Sequence, residues 1–166
     1  MRDYYLGLDN GISGNLGIIG PDNKSAHHKT PIKKVLNYTK EKAWINRIST
    51  PELKTILQPY ADANAAKPGS VLMILERAMV NPKRWKASMS AIRALEATLI
   101  VIEELGIPYV YVDSKEWQRV MLPASIAGDE LKPASKQVAE RLFPNLTFKS
   151  DGDGILIAEW ARRKQL

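Results

Sequence analysis

The run Val71 to Leu75 (VLMIL) constrains this chain more than any other stretch. Five apolar residues without a polar break, following the turn pair Pro68-Gly69, predict a strand buried on both faces. Such a strand needs cover on each side, so helices must pack against a sheet. Tyr4 to Leu8 (YYLGL) and Leu16 to Ile19 (LGII) read as two strands of a hairpin, joined by the tight turn Asn10-Gly11-Ile12-Ser13-Gly14. A third strand is expected between Lys24 and Lys29, and Tyr109 to Val112 (YVYV) reads as another buried strand. Helices are expected over Pro51 to Tyr60, with Thr50 as N-cap, and over Ala87 to Leu105, where Ile92, Leu95, Leu99 and Ile102 make an apolar stripe. Three more follow: Ser114 to Met121, capped by Asp113 with Glu116 completing a capping box, then Pro133 to Phe143, then Ile155 to Lys164. Ala61 to Ser70 reads as a small-residue loop and Ala78 to Lys86 as an irregular basic loop. Strands first, then strands alternating with helices, predict a mixed α/β fold in which a hairpin feeds a parallel portion. The length of 166 residues suits one domain, residues 1–166.

The residue inventory removes several chemistries. With no cysteine, disulfide frameworks, thiolate nucleophiles and cysteine–zinc sites are excluded. The two histidines, His27 and His28, are too few for a His-rich metal site. Met1-Arg2-Asp3-Tyr4 has no apolar signal region, and the longest purely aliphatic run, Leu99 to Ile102, is four residues. The expectation is a soluble, cytoplasmic protein with no membrane partner.

Charge is uneven. Residues 22–48 carry seven Lys/Arg against Asp22 and Glu41, and residues 77–93 carry five and no acid. Together these stretches hold +10, against +6 for the chain, which leaves −4 elsewhere. Basic patches of this kind attract polyanions, nucleic acid above all, although a solvated basic face with no partner has the same composition.

Four carboxylates stand where chemistry can use them. Asp9 ends an apolar strand, Glu76 ends the most apolar strand, and Asp151 and Asp153 flank Gly152 at the start of the last helix. Neighbouring strands would bring Asp9 and Glu76 to one sheet edge, and a helix packed there would add Asp151 or Asp153. Converging carboxylates repel unless cations bind, and hard Mg²⁺ or Mn²⁺ takes oxygen ligands. Two such ions roughly 3.5–4 Å apart clamp both oxygens of an in-line phosphodiester displacement. The N-terminus of the helix would favour ionised Asp153. Each residue also has a plain reading. Asp9 can bond its own turn, Glu76 can pair with Arg77 or Lys83, and Asp151 or Asp153 can be an N-cap.

Four stretches carry a family resemblance: Gly7-Leu8-Asp9-Asn10-Gly11-Ile12-Ser13-Gly14; Leu72 to Glu76; Ser114-Lys115-Glu116-Trp117-Gln118 running on to Ala134-Ser135-Lys136-Gln137-Val138; and Asp151 to Trp160. In this order they resemble RuvC-like Holliday-junction resolvases of phage type, in the RNase H-like superfamily. The resemblance implies a mixed five-stranded sheet, an antiparallel hairpin plus parallel strands, flanked by helices. It implies that Asp9, Glu76 and Asp153 are catalytic metal ligands. The family often has Asp or His three residues before the last carboxylate, where this chain has Ser150, so Asp151 is the nearest substitute for a fourth. Asn10 replaces a common proline.

After Glu76 the family often carries an apolar or aromatic wedge for the junction centre. Met79 falls there and Trp85 is a second candidate, with Arg77, Lys83, Arg84 and Lys86 to hold phosphates. Met79 packed under its loop and Trp85 on the long helix are the plain alternatives. Lys132 and Lys136 are candidate phosphate or transition-state contacts, or part of a solvated helix face.

The function implied is a magnesium-dependent, structure-selective endonuclease. It would act as a homodimer on four-way or branched DNA in a bacterial or phage-infected cell, leaving 5′-phosphate and 3′-hydroxyl ends. A non-catalytic branched-DNA-binding protein on the same fold is the alternative. Asp9-Asn10-Gly11-Ile12-Ser13 also resembles the phosphate hairpin of sugar kinases and actin-like ATPases, but those folds need about twice this length.

Overall fold

The computed structural model describes residues 2–166; Met1, the first residue of the stretch read for a signal, lies outside the described residues. Five strands form one sheet: β1 (Tyr4–Leu8), β2 (Asn15–Ile19), β3 (Ser25–Lys29), β6 (Val71–Glu76) and β7 (Tyr109–Val112), in spatial order β3-β2-β1-β6-β7. The β1–β2 and β2–β3 pairs are antiparallel, while β1–β6 and β6–β7 are parallel. This is the mixed sheet expected.

Side-chain alternation splits the core in two. On one face Leu6, Leu8, Met73 and Leu75 meet α1 (Thr50–Ala66) and α2 (Trp85–Glu104) through Leu53, Leu57, Val101 and Ile102. On the other, Tyr5, Leu72 and Ile74 meet α3 (Ser114–Met121), α4 (Leu131–Leu142) and α5 (Asp153–Lys164) through Trp117, Val138 and Ile157. The double-sided burial expected of VLMIL follows directly.

Several local readings are corrected. Helix α1 begins one residue early, with Ser49 at the cap position, and runs on to Ala66 through the segment read as a loop. Ala61, Ala63, Ala65 and Ala66 show no apolar period, but alanine is the strongest helix former. Strand β7 is a sheet edge in which only Val112 is buried. Asp113 makes no side-chain cap for α3; its carboxylate pairs with Arg77 at 3.0 Å. A short 3₁₀ turn, Pro82–Arg84, organises the basic loop, and α2 starts at Trp85.

One feature was not anticipated. Residues 32–48 form a separate two-stranded ribbon, β4 (Ile32–Leu36) against β5 (Trp44–Ile48). No described helix is long and apolar enough to cross a membrane.

Candidate metal centre

Register puts the first two carboxylates together. Leu8 pairs with Leu75 in the parallel β1–β6 ladder, so Asp9 comes level with Glu76 at the same strand ends. Leu8 and Leu75 both face α1 and α2. Alternation therefore turns Asp9 and Glu76 to the opposite face, where α5 lies.

Three glycines bring α5 there. A Cβ on Gly7 would lie 2.2 Å from the Gly154 carbonyl oxygen, and one on Gly17 2.2 Å from the Ile155 Cα. One on Gly154 would lie 2.5 Å from the Asn15 carbonyl oxygen. These positions admit only hydrogen, so the first turn of α5 rests directly on β1 and β2. Asp153 is the first residue of that turn, and Asp151 stands just before the Gly152 cap.

Ligand oxygens of Asp9, Asp151 and Asp153 lie within 4.8 Å of one another. Glu76 stands beside this trio, close enough to Asp9 for the two to affect each other's proton affinity, while its Oε1 accepts from Trp117 Nε1 at 2.8 Å. The structure thus gathers all four predicted carboxylates at one end of the sheet, with three in the tight group and Glu76 beside it.

The polar groups that hold them went unnoticed in the sequence. Asn15 Nδ2 donates to Asp151 Oδ1, and Asn15 Oδ1 accepts from the Gly154 N–H at 2.7 Å. Ser135 Oγ donates to Asp153 Oδ1 and accepts from the Gly152 N–H at 3.0 Å. Trp117 and Ser135 lie in the two segments that carry the third resemblance, but nothing local there marks them as carboxylate partners. Asn15 carries no motif signal.

Lys132 Nζ reaches Asp151 Oδ2 at 3.2 Å. Burial pulls its ammonium down, but Asp151, Asp9 and Asp153 outweigh this and raise it. Lys136 instead pairs along its own helix with Glu140 at 3.8 Å.

Proton affinities register the crowding. Burial first, then the charges of Glu76 and Asp151, push Asp9 up to about 7. Burial, Asp9 and Asp151 push Asp153 up to about 7 against the Ser135 hydrogen bond. The expected preference for ionised Asp153 at a helix N-terminus is therefore outweighed. Glu76 is also raised, by burial and by Asp153, with Trp117 opposing. Nearby, the His27 ring packs on Phe148 with centroids 4.7 Å apart, and its Nε2 is buried without a partner. Burial lowers its basicity, with Asp151 opposing.

The donor set fits a hard divalent cation. It consists entirely of carboxylate oxygens, they converge, and two of them hold protons near neutrality unless positive charge replaces those protons.

A cleft of about 280 Å³ opens beside Glu76, lined by Asn10, Arg77, Met79, Arg84 and Ser114 among others. Met79 is 74% exposed and Trp85 64% exposed, so neither is absorbed into the core. Arg77 stacks over Tyr111 at 5.0 Å while pairing with Asp113. Lys83 and Arg84 form the short turn ahead of α2, and Lys86 approaches Glu41 at 3.9 Å. Asn10 Nδ2 donates to the Ala91 carbonyl at 3.3 Å, tying the turn after β1 to α2.

No family model and no curated protein matches this chain in sequence. Solved structures do match in fold. Thermus thermophilus RuvC in complex with a Holliday junction substrate superposes with a TM-score of 0.56 at 16% identity, covering 99% of this chain and 97% of that one. A second Thermus thermophilus RuvC structure gives 0.52 at 14% identity, over 98% and 96%. The chain has the RuvC-like arrangement of the RNase H-like fold.

Proposed function

We propose that this chain is a metal-dependent, structure-selective DNA endonuclease that resolves four-way or other branched junctions. The observation that carries this reading is the convergence of Asp9, Asp151 and Asp153, with Glu76 alongside, at the end of a RuvC-like sheet. The neighbour holding a Holliday junction supports the substrate class.

In this reading Asp9, Glu76, Asp151 and Asp153 hold Mg²⁺ or Mn²⁺. When bound, such ions polarise the phosphate and lower the pKa of the attacking water. The chain's own residues supply the rest. Asn15, Ser135 and Trp117 each fix one carboxylate oxygen, so the acidic groups need no reorganisation when substrate arrives. Lys132 offers its ammonium to the scissile phosphate from the rim of the cluster. Arg84 and Lys86 take neighbouring phosphates, with Lys83 and Arg77, and exposed Met79 or Trp85 stacks on an unpaired base at the branch. Lys136, held by Glu140, contributes charge to the approach. Water attacks in line and the 3′ oxygen leaves, giving 5′-phosphate and 3′-hydroxyl ends.

A four-way junction has near two-fold symmetry, so paired nicks need a homodimer. Exposed Ile92 and Ile100 on α2 support an apolar contact between copies. The protein then acts in the cytoplasm of a bacterial or phage-infected cell, and residues 1–166 are one nuclease domain.

The test is cleavage of a labelled four-way junction with Mg²⁺ or Mn²⁺. Asp9→Asn and Glu76→Gln are expected to lose cutting at least a thousandfold while keeping or tightening junction binding. Undiminished cutting by both ends the proposal. One observation favours a second reading, non-catalytic branched-DNA binding: Lys132 and Asn15 already engage both oxygens of Asp151, and Ser150 adds no carboxylate. Junction binding with no cleavage under either ion would establish it.

A further inference from the structure

We propose that the β4–β5 ribbon is a DNA-gripping arm, and that the cleft between its tip and the first turns of α2 takes an unstacked base with its flanking phosphates. The inference rests on the branched-DNA reading above and extends it to a second contact region.

The ribbon has little reason to stand on its own. Two-stranded hairpins are marginal in water. Along β4 and β5 only Ile48 is buried. Lys33 sits directly opposite Arg47 across the ladder, and both are exposed. Like charges so placed destabilise a strand pair unless an anion lies between or over them. Residues 31–48 hold Lys33, Lys34, Lys40, Lys42 and Arg47 against Glu41, a net +4 out of the chain's +6. An arm built this way is repaid by a polyanion.

The tip supplies the complementary chemistry. Tyr38 and Trp44 are 66% and 72% exposed. Arg93 on α2 donates to Tyr38 Oη at 2.9 Å and lies 5.7 Å from its ring centre, so the tip leans on the helix. Between them is a cleft of about 840 Å³, with Tyr38, Ile45, Trp85 and Met89 in its walls and Lys40, Lys86 and Arg93 in its lining against one carboxylate, Glu41. Apolar, aromatic walls with a cationic rim match a base carrying phosphates on either side.

Position links this cleft to the acidic cluster. Its lining includes Ile12, three residues beyond Asp9 in the same turn. It takes Trp85, Lys86, Met89 and Ser90 from α2, whereas the cleft beside Glu76 takes Ala87, Ser88 and Ala91 from that helix. The two clefts therefore flank the same turns of α2, and a strand crossing them meets both. A second copy of this chain is the poorer occupant, because the +4 arm would face another +6 molecule.

The experiment uses the full chain without divalent ions. Fluorescent four-way junction, matched duplex and oligo(dT) are titrated over a range of salt. Tyr38→Ala with Trp44→Ala should weaken junction and oligo(dT) binding about tenfold or more. Lys40→Ala with Lys42→Ala should flatten the salt dependence by about two in slope. A 2-aminopurine at the branch should change its emission on binding wild-type protein and keep its free-junction emission with the aromatic variant. Circular dichroism checks that these surface variants remain folded.

Arm variants that match wild type in affinity, salt slope and emission change overturn the arm. So does light scattering in which they turn a dimer into a monomer, since the ribbon is then a self-association surface. Failure of the parent reading looks different: wild type neither prefers the junction nor cuts it with Mg²⁺, yet the arm variants still lose oligo(dT) binding.

Discussion

Asn15 donates to a buried carboxylate and accepts from the backbone at the start of α5, so one side chain sets both Asp151 and the helix that carries Asp153. Asn15→Ala leaves both partners unsatisfied. The expected cost is about 1–3 kcal/mol in urea unfolding, with weaker metal binding in isothermal titration. Trp117 poses a sharper question because its ring is also core. Trp117→Phe keeps most of the packing and removes the donor to Glu76. Glu76 then rises further, so the acidic limb of the pH–cleavage profile should move to higher pH, and the rate near pH 7 should fall about tenfold. Neither role was legible in the sequence. Asn15 meets Asp151 and Trp117 meets Glu76 only after the chain folds, and no local pattern encodes a partner so far away. The carboxylates were legible because each terminates an apolar strand or opens a helix, where a charged residue needs a reason.

Among elements, the docking of α5 is the most exposed to small changes. Gly7 and Gly17 have backbone atoms of α5 where a methyl would go, and backbone cannot swing aside. Gly7→Ala should cost about 3 kcal/mol or more by thermal unfolding, and should abolish divalent stabilisation by moving Asp153 away from Asp9. Further along, Glu159 is buried, yet Arg162 and Arg163 together outweigh burial and hold its carboxyl below the usual range. Its contribution is present above the unfolded pKa and fades as pH falls through the lower folded one. Strands β1, β2 and β6 were readable because burial on both faces leaves short unbroken apolar runs, and α2 because burial of one face writes a period of 3.6 into the sequence. The β4–β5 ribbon was not. IKKVL and WINRI are largely exposed, so no core imposes alternation on them, and their lysines read only as a basic stretch.

For the molecule as a whole, the acidic cluster couples folding, pH and metal. Asp9 and Asp153 bind protons up to about 7 in the folded chain, against 3.8 for an ordinary aspartate carboxyl. Between those values the folded state holds more protons than the unfolded one, so metal-free stability falls as pH rises through this window. Melting without divalent ions should therefore occur at a higher temperature at pH 5.5 than at pH 8. Mg²⁺ or Mn²⁺ should raise the melting temperature strongly at pH 8 and little at pH 5.5, where protons occupy the same oxygens. Asp9→Asn should stabilise the metal-free protein at pH 8 by on the order of 1 kcal/mol or more while removing the response to metal.

Chain order gives the three-glycine seat of α5 one more consequence. β1 and β6 precede α5, which follows every other described element. A nascent polypeptide on the ribosome thus owns Asp9 and Glu76 long before Asp151 and Asp153 can join them. Whatever chemistry the four carboxylates perform together is withheld from truncated or half-synthesised copies by the schedule of translation itself.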